Sequence, residues 1–329
     1  MPQDIAFDLP FEPAVSPDVD AARQRSLRWS RRLGLLRHPA DRQRFLSWDI
    51  AGLMAAWNPG ATGDRLDLTV DAVVVATFLD DQFDGPLAAQ PQRVEAACRA
   101  FTEVMVTGGV APPGAGPLIV AFADVWRRLA EEASVAWLER AQQHWQGYLD
   151  AYIEEAANRA HRRMPASAEY FALRRQSGFV CAMLDLSQKA RELEVPPRLA
   201  VHPLVSRMLD ITADVVDTLN DVHSLEKEET RGDVHNLVLI LEKEQGTGRT
   251  ATIAWIQRLI RDWCAEFITL ERNLQDSLPR QDAAIAGPFT DCMRAAMSGY
   301  LHWSRTSLRY SRLVPAGEPA LATELLAEQ

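Results

Sequence analysis

The chain has 329 residues, 47% hydrophobic and 24% charged, with a formal net charge of -10. That length suffices for one large helical domain with a deep core, and the acidity excludes a nucleic-acid partner, whose phosphates need a basic footprint. The four cysteines, Cys98, Cys181, Cys264 and Cys292, are far apart and form no CxxC pair, which excludes a disulfide framework or zinc ribbon and points to reduced, cytosolic thiols.

Residues 1–16 read as an extended arm punctuated by Pro10 and Pro13, with no basic region leading into an apolar run, hence no signal peptide. Residues 17–313 read as a single all-α domain, because apolar residues recur at three- and four-residue spacing and strand-like alternation is scarce. A first helix is expected from about Asp18 to Leu36, and a second from about Asp41 to Trp57, ending at Asn58-Pro59-Gly60. The next begins near Leu66, carries Val70, Val73, Val74 and Val75, and ends around Asp84-Gly85-Pro86. A Gly/Pro stretch from Gly108 to Pro117 follows. Helical pattern resumes from about Leu118 and continues through the run from Trp137 to Arg163. A segment from Ala166 to Arg175 breaks at Gly178. Another helix starts near His202, after Pro196-Pro197, and runs through Glu228. Two long helices close the pattern, about Arg249 to Leu278 and Asp282 to Tyr310. Residues 314–329 are Pro/Gly/Ala-rich and are expected to be a mobile tail. No run of about 18 uncharged apolar residues occurs, so membrane insertion is not expected, and the expected location is cytoplasmic.

Two stretches carry oxygen ligands at regular spacing. In Phe78-Leu79-Asp80-Asp81-Gln82-Phe83-Asp84, three carboxylates fall within five residues at the end of an otherwise uncharged helix. Asp80 and Asp84 share a face, and like charges at that spacing destabilise a helix unless a cation compensates; a hard divalent ion such as Mg²⁺ suits carboxylate oxygens. An acidic helix end meeting solvent explains this run alone equally well. In Asn220-Asp221-Val222-His223-Ser224-Leu225-Glu226-Lys227-Glu228, Asn220, Ser224 and Glu228 stand at i, i+4 and i+8, one stripe two turns long. Amide, hydroxyl and carboxylate oxygens can share one Mg²⁺ shell, although a plain polar helix face is the commoner meaning of such a stripe. Arg174-Arg175-Gln176-Ser177-Gly178 and the Arg309-Tyr310 pair add groups suited to phosphate oxygens. Each is weak alone.

Together, in this order, the motifs resemble those of the bacterial class I terpene synthases, the isoprenoid cyclases. The resemblance covers nearly the whole chain, from Ser16-Pro17-Asp18-Val19-Asp20-Ala21-Ala22-Arg23 through Gly232-Asp233-Val234-His235-Asn236-Leu237-Val238. It implies an all-α bundle open at one end, with a central cavity. It also implies a Mg²⁺-dependent enzyme, three ions being expected, that ionises an isoprenyl diphosphate and cyclises the carbocation. The aspartate-rich motif falls on Asp80, Asp81 and Asp84, and the second metal motif on Asn220, Ser224 and Glu228. Diphosphate contacts fall on Arg174, Lys227, Arg309 and Tyr310. Ser177 takes the linker position and Gly178 the effector position. Relatives often carry aromatics where this chain has Ala76 and Thr77, which implies a roomier or differently shaped cavity and one fewer cation–π face. Phe78, Phe83, Phe179 and Trp303 are the aromatics assigned to the cavity, the first three being equally explicable as packing. Farnesyl diphosphate is the favoured substrate, with geranylgeranyl and geranyl diphosphate open, as are monomer and homodimer.

Other function classes fit less well. A prenyl chain elongase would normally carry a second aspartate-rich motif where this chain has Asn220, Ser224 and Glu228. A non-catalytic helical interaction protein has no need of two oxygen-bearing stripes.

Overall fold

The structure is a computed structural model that describes residues 5–85, 87–131, 133–310 and 325–326. Among these residues there are fourteen helices and no strand. They are α1 (Val19–Arg32), α2 (Pro39–Trp48), α3 (Ile50–Trp57), α4 (Gly63–Phe83), α5 (Pro91–Val106), α6 (Pro117–Ala130) and α7 (Val135–His161). Then follow α8 (Ser167–Ser177), α9 (Val180–Ala190), α10 (Pro197–Ala200), α11 (Pro203–Arg231), α12 (Leu237–Gln245), α13 (Arg249–Ser277) and α14 (Arg280–Thr306).

Two helices are buried on nearly every side through their middle turns. In α4, Val70 through Leu79 are all buried, and in α11 so are Ile211 through Leu219. A helix without a polar face belongs inside a larger bundle, and here α4 packs on α1, α3, α6 and α9, and α11 on α8, α9, α12, α13 and α14. Helices α3 and α14 approach backbone to backbone. A Cβ on Gly299 would stand 2.6 Å from the Ala56 carbonyl oxygen, so only glycine lets the two backbones come together there.

Several boundaries differ from expectation, each for a local reason. The helix expected over 41–57 is two, because Asp49 takes a left-handed backbone (φ 49°) between α2 and α3. Its carboxylate holds that corner, accepting from the Gly52 backbone N–H and from Arg23, while Trp303 Nε1 donates to the Trp48 and Asp49 carbonyls. The sequence pattern assigns no helix to α5, α9, α10 or α12. Alpha-helix α5 buries only Val94, Cys98, Phe101, Val104 and Met105 between charged residues, and α12 is nine residues long, too short for periodicity to stand out. The last helix ends at Thr306, so Arg309 and Tyr310 lie on the turn beyond it.

The N-terminal arm runs over the outside of the α11, α13 and α14 group. Phe7 is buried with its ring 6.2 Å from His223, its carbonyl accepts from Arg305, and Gln257 donates to the Ala6 carbonyl. Most of the 314–329 segment expected to be mobile lies outside the described residues. Leu325 within it is buried, and its carbonyl accepts from the Leu118 backbone N–H. All four cysteines are unpaired, and among the described residues no helix is long and apolar enough to cross a membrane.

Candidate active site

A cavity opens among α3, α4, α7, α8, α9, α11 and α14, and its wall changes character from one end to the other. Ile50, Leu53, Trp57, Val73, Ala76, Phe179, Met183, Val216 and Trp303 supply apolar surface, whereas Asp80, Arg174, Asn220, Ser224, Lys227, Glu228 and Arg309 gather at the polar end.

The end of α4 supplies Asp80. Its Oδ1 accepts from the Tyr152 hydroxyl at 2.7 Å and its Oδ2 from Arg309 Nη2 at 3.1 Å. Burial opposes its charge, yet Arg309 and Lys227 hold this carboxyl below its ordinary range. Asp84 caps the same helix and pairs with Arg159 at 2.8 Å. Burial, reinforced by Asp80, pushes Asp84 up to about 7. Asp81 does not line the cavity.

Helix α11 brings Asn220, Ser224 and Glu228 onto one wall, as a spacing of four requires. Asn220 Oδ1 accepts from Arg174 Nη2 at 2.7 Å, and its Nδ2 donates to the Tyr310 hydroxyl at 2.7 Å and the Tyr300 hydroxyl at 3.0 Å. Ser224 donates to the Asn220 carbonyl. Glu228 accepts from Asn236 Nδ2 at 2.8 Å, and no ion pair reaches it among the described residues. Burial and then Asp221 push this carboxyl up to about 8. A half-buried carboxyl without a cationic partner, beside amide and hydroxyl oxygens, is a donor set that suits a hard divalent ion. Among the described residues no three His, Cys, Asp or Glu side chains form a ready-made metal shell. Asp80 is instead engaged by Tyr152 and Arg309, Asp84 by Arg159, and Glu228 by Asn236.

Arg174 stands at the end of α8, hydrogen-bonded to Asn220 and 3.3 Å from Asp221 Oδ1. The Asp221 Oδ2 accepts from the Tyr170 hydroxyl at 2.5 Å and from the Leu237 backbone N–H. The helix break lies one residue later than expected. Gly178 is an ordinary right-handed C-cap (φ -70°), and Phe179 takes the left-handed backbone (φ 65°), a strained choice for a bulky residue. Gly178 is needed for space instead, since a Cβ there would lie 2.0 Å from Asp217 Oδ1.

Of the aromatics expected in the cavity, Phe179 and Trp303 line it. Phe78 and Phe83 do not. Both are fully buried, Phe78 against Phe45 and Trp48, and Phe83 against Tyr152, so they are packing. Ala76 and Thr77 do line the wall, and two tyrosines of α7 fill the space beside them. Tyr148 donates to the Ala76 carbonyl at 3.0 Å, and its ring lies tilted with its centroid 4.6 Å from that of Phe179; the Tyr152 ring lies 4.9 Å from that of Tyr148. Sequence reading missed both, along with Arg159, whose guanidinium joins Asp84, Glu155 and Asp233. Tyr148 and Tyr152 do stand four apart on one face of α7, a like pair the sequence reading did not single out, whereas Arg159 belongs to no spaced set of like chemistry.

Comparison with known proteins agrees with this geometry. The family model described as "Terpene synthase family 2, C-terminal metal binding" matches residues 71–266. A pentalenene synthase from Streptomyces arenae is 37% identical over 317 residues, covering 94% of each chain. A 7-epi-alpha-eudesmol synthase from Streptomyces viridochromogenes, described as farnesyl diphosphate cyclizing, is 31% identical over 99% of this chain and 97% of its own. Among solved structures, an a-eudesmol synthase superposes with a TM-score of 0.84 at 28% identity, over 92% of this chain and all of that one. The linalool/nerolidol synthase of Streptomyces clavuligerus gives 0.84 at 29%, over 91% and 100%. A helical cavity with an acidic α4 end, an oxygen-bearing α11 stripe and whole-length likeness to these enzymes places the chain in the bacterial class I terpene synthase family.

Proposed function

We propose that the chain is a sesquiterpene cyclase that ionises farnesyl diphosphate and folds the allylic cation into a cyclic hydrocarbon or alcohol. One observation carries this reading: two oxygen-bearing helix stripes and two arginines converge on one end of a cavity whose other end is apolar. The farnesyl-cyclizing descriptions of the eudesmol relative and of a 33% identical (-)-beta-caryophyllene synthase from Saccharothrix espanaensis support the chain length.

Asp80, with Asp81 and Asp84 behind it, and Asn220, Ser224 and Glu228 would hold Mg²⁺, three ions as in the resemblance. When bound, the metal neutralises charge that develops on the leaving diphosphate. Arg174, Lys227, Arg309 and Tyr310 bind the diphosphate oxygens and orient the allylic C–O bond toward the apolar wall. To do so Arg174 leaves Asn220 and Arg309 leaves Asp80, which frees both oxygens for the metal. Ser177 and Gly178 couple the end of α8 to the wall beside the reacting carbons. Trp57, Tyr148, Phe179 and Trp303 exclude water and offer ring faces to the cation.

The test is incubation with geranyl, farnesyl and geranylgeranyl diphosphate separately, with Mg²⁺ or EDTA, followed by gas chromatography–mass spectrometry. A cyclic C15 product only with farnesyl diphosphate and Mg²⁺ is expected. Product formation in EDTA, or a product that lengthens when isopentenyl diphosphate is added, would overturn it.

A further inference from the structure

The cavity wall holds a carboxyl that neither the metal-ligand set nor the diphosphate-binding set uses. Asp217 lies on α11 one turn before Asn220, is 4% exposed, and lines the cavity with Val216, Phe179 and Met183. Its two oxygens sit over Gly178, whose missing Cβ would stand 2.0 Å from Oδ1 and 2.4 Å from Oδ2. Oδ2 has no hydrogen-bond partner.

The charged and titratable groups around it are Arg174 and Arg175 on α8, Cys181 on α9, and Asp214 and Asp221 on α11. Arg174 is committed to Asn220 and Asp221, and Arg175 forks onto Asp214 with two 2.7 Å bonds. No hydrogen bond or ion pair joins either arginine to Asp217 among the described residues. Burial pushes the Asp217 carboxyl up to about 8, with Arg174 opposing and Asp221 adding. A carboxyl in that setting stays neutral and keeps a proton to give.

We propose that Asp217 is a catalytic proton donor that re-ionises a neutral cyclic olefin within the cavity; this rests on the cyclase reading above. The first cyclic cation loses a proton to the departing diphosphate, the C–H electron pair becoming an alkene bond. The Asp217 O–H bond then breaks. Its proton bonds to one alkene carbon through the π pair, and the other carbon becomes cationic. The final C–H bond to break returns a proton to the Asp217 carboxylate, so the group ends the turnover as it began and no co-reactant is consumed. Gly178 keeps the space through which this carboxyl reaches the olefin.

The experiment compares wild type and Asp217→Asn on farnesyl diphosphate with Mg²⁺ in H₂O and D₂O, measuring diphosphate release beside product mass. The proton returned to the Asp217 carboxyl exchanges with solvent once product leaves the cavity, so the wild-type product is expected to gain one deuterium in D₂O. For each diphosphate released, Asp217→Asn should give a less cyclised olefin, its deuterated fraction down roughly a hundredfold, the low side of what a positioned proton donor contributes. Asp217→Glu should recover part of the label. Asp217→Ser replaces the amide variant if circular dichroism shows that the amide does not fold. A wild-type product without deuterium, or unchanged products and label in the acid-free variants, overturns the proposal. Absence of diphosphate release by wild type would instead sink the cyclase reading itself.

Discussion

The polar and apolar ends of the cavity are built under different constraints. At the polar end, chemistry dictates residue type and spacing together: oxygens must meet a cation, and guanidinium forks must meet a polyanion. At the apolar end only shape and ring faces matter, and any helix that reaches the wall can supply them. The aromatic surface absent from Ala76 and Thr77 on α4 stands instead on α7, as Tyr148 and Tyr152. The polar end is therefore fixed in sequence position, while the apolar end is free to migrate between helices.

Substitutions can break this comparison. Asp80→Ala should lower Mg²⁺-dependent diphosphate release about a thousandfold, since a metal contributes several kcal/mol and 1.36 kcal/mol is tenfold. A rate within a few-fold of wild type would remove Asp80 from the polar end. Arg159→Met leaves the carboxylates of Asp84, Glu155 and Asp233 without their shared partner. It should cost about 3–5 kcal/mol of stability by urea unfolding, as unpairing a buried charge does. Asn220→Ala and Glu228→Ala should each weaken Mg²⁺-dependent turnover roughly ten- to a hundredfold. If both rates stay at wild type, the α11 stripe is not a metal site.

The smallest change tests the apolar end. Tyr152→Phe removes one hydrogen bond from Asp80, a loss of about 1 kcal/mol, or roughly fivefold in rate, yet keeps the ring. Product identity should persist, because the ring face remains. Tyr148→Ala and Tyr152→Ala, by contrast, should redistribute products. An unaltered product pattern by gas chromatography would show that the α7 rings take no part in shaping the cation.

The same contrast explains what was legible in the sequence. The all-α class followed from periodicity and the metal-ligand candidates from spacing, because i, i+4, i+8 on a helix is a geometric statement, whereas the diphosphate contacts followed from the family resemblance. The kink at Asp49 was not legible, since it depends on Arg23 and on Trp303 more than 250 residues away. The packing role of Phe78 stood level with a cavity role in the sequence, because its neighbours Phe45 and Trp48 come from a different helix. Gly178 looked like a conformational break, but its reason is the Asp217 carboxyl facing it from α11. Such tertiary dependencies leave no periodic trace.

The contact of Gly299 with the Ala56 carbonyl bears on how product range can diversify. Alpha-helices α3 and α14 carry Ile50, Leu53, Trp57, Tyr300 and Trp303 into the cavity, and their backbones are in mutual contact just behind that wall. Added bulk between them has nowhere to go, so this flank offers selection few viable neighbours in sequence space. The flank of Ala76, Thr77, Tyr148, Tyr152 and Met183 joins α4 to α7 through the Tyr148 side chain on the Ala76 carbonyl and can trade volume from one position to another. A mutational library should find its new scaffolds there, with α3 and α14 acting as the fixed half of a mould whose other half is recast.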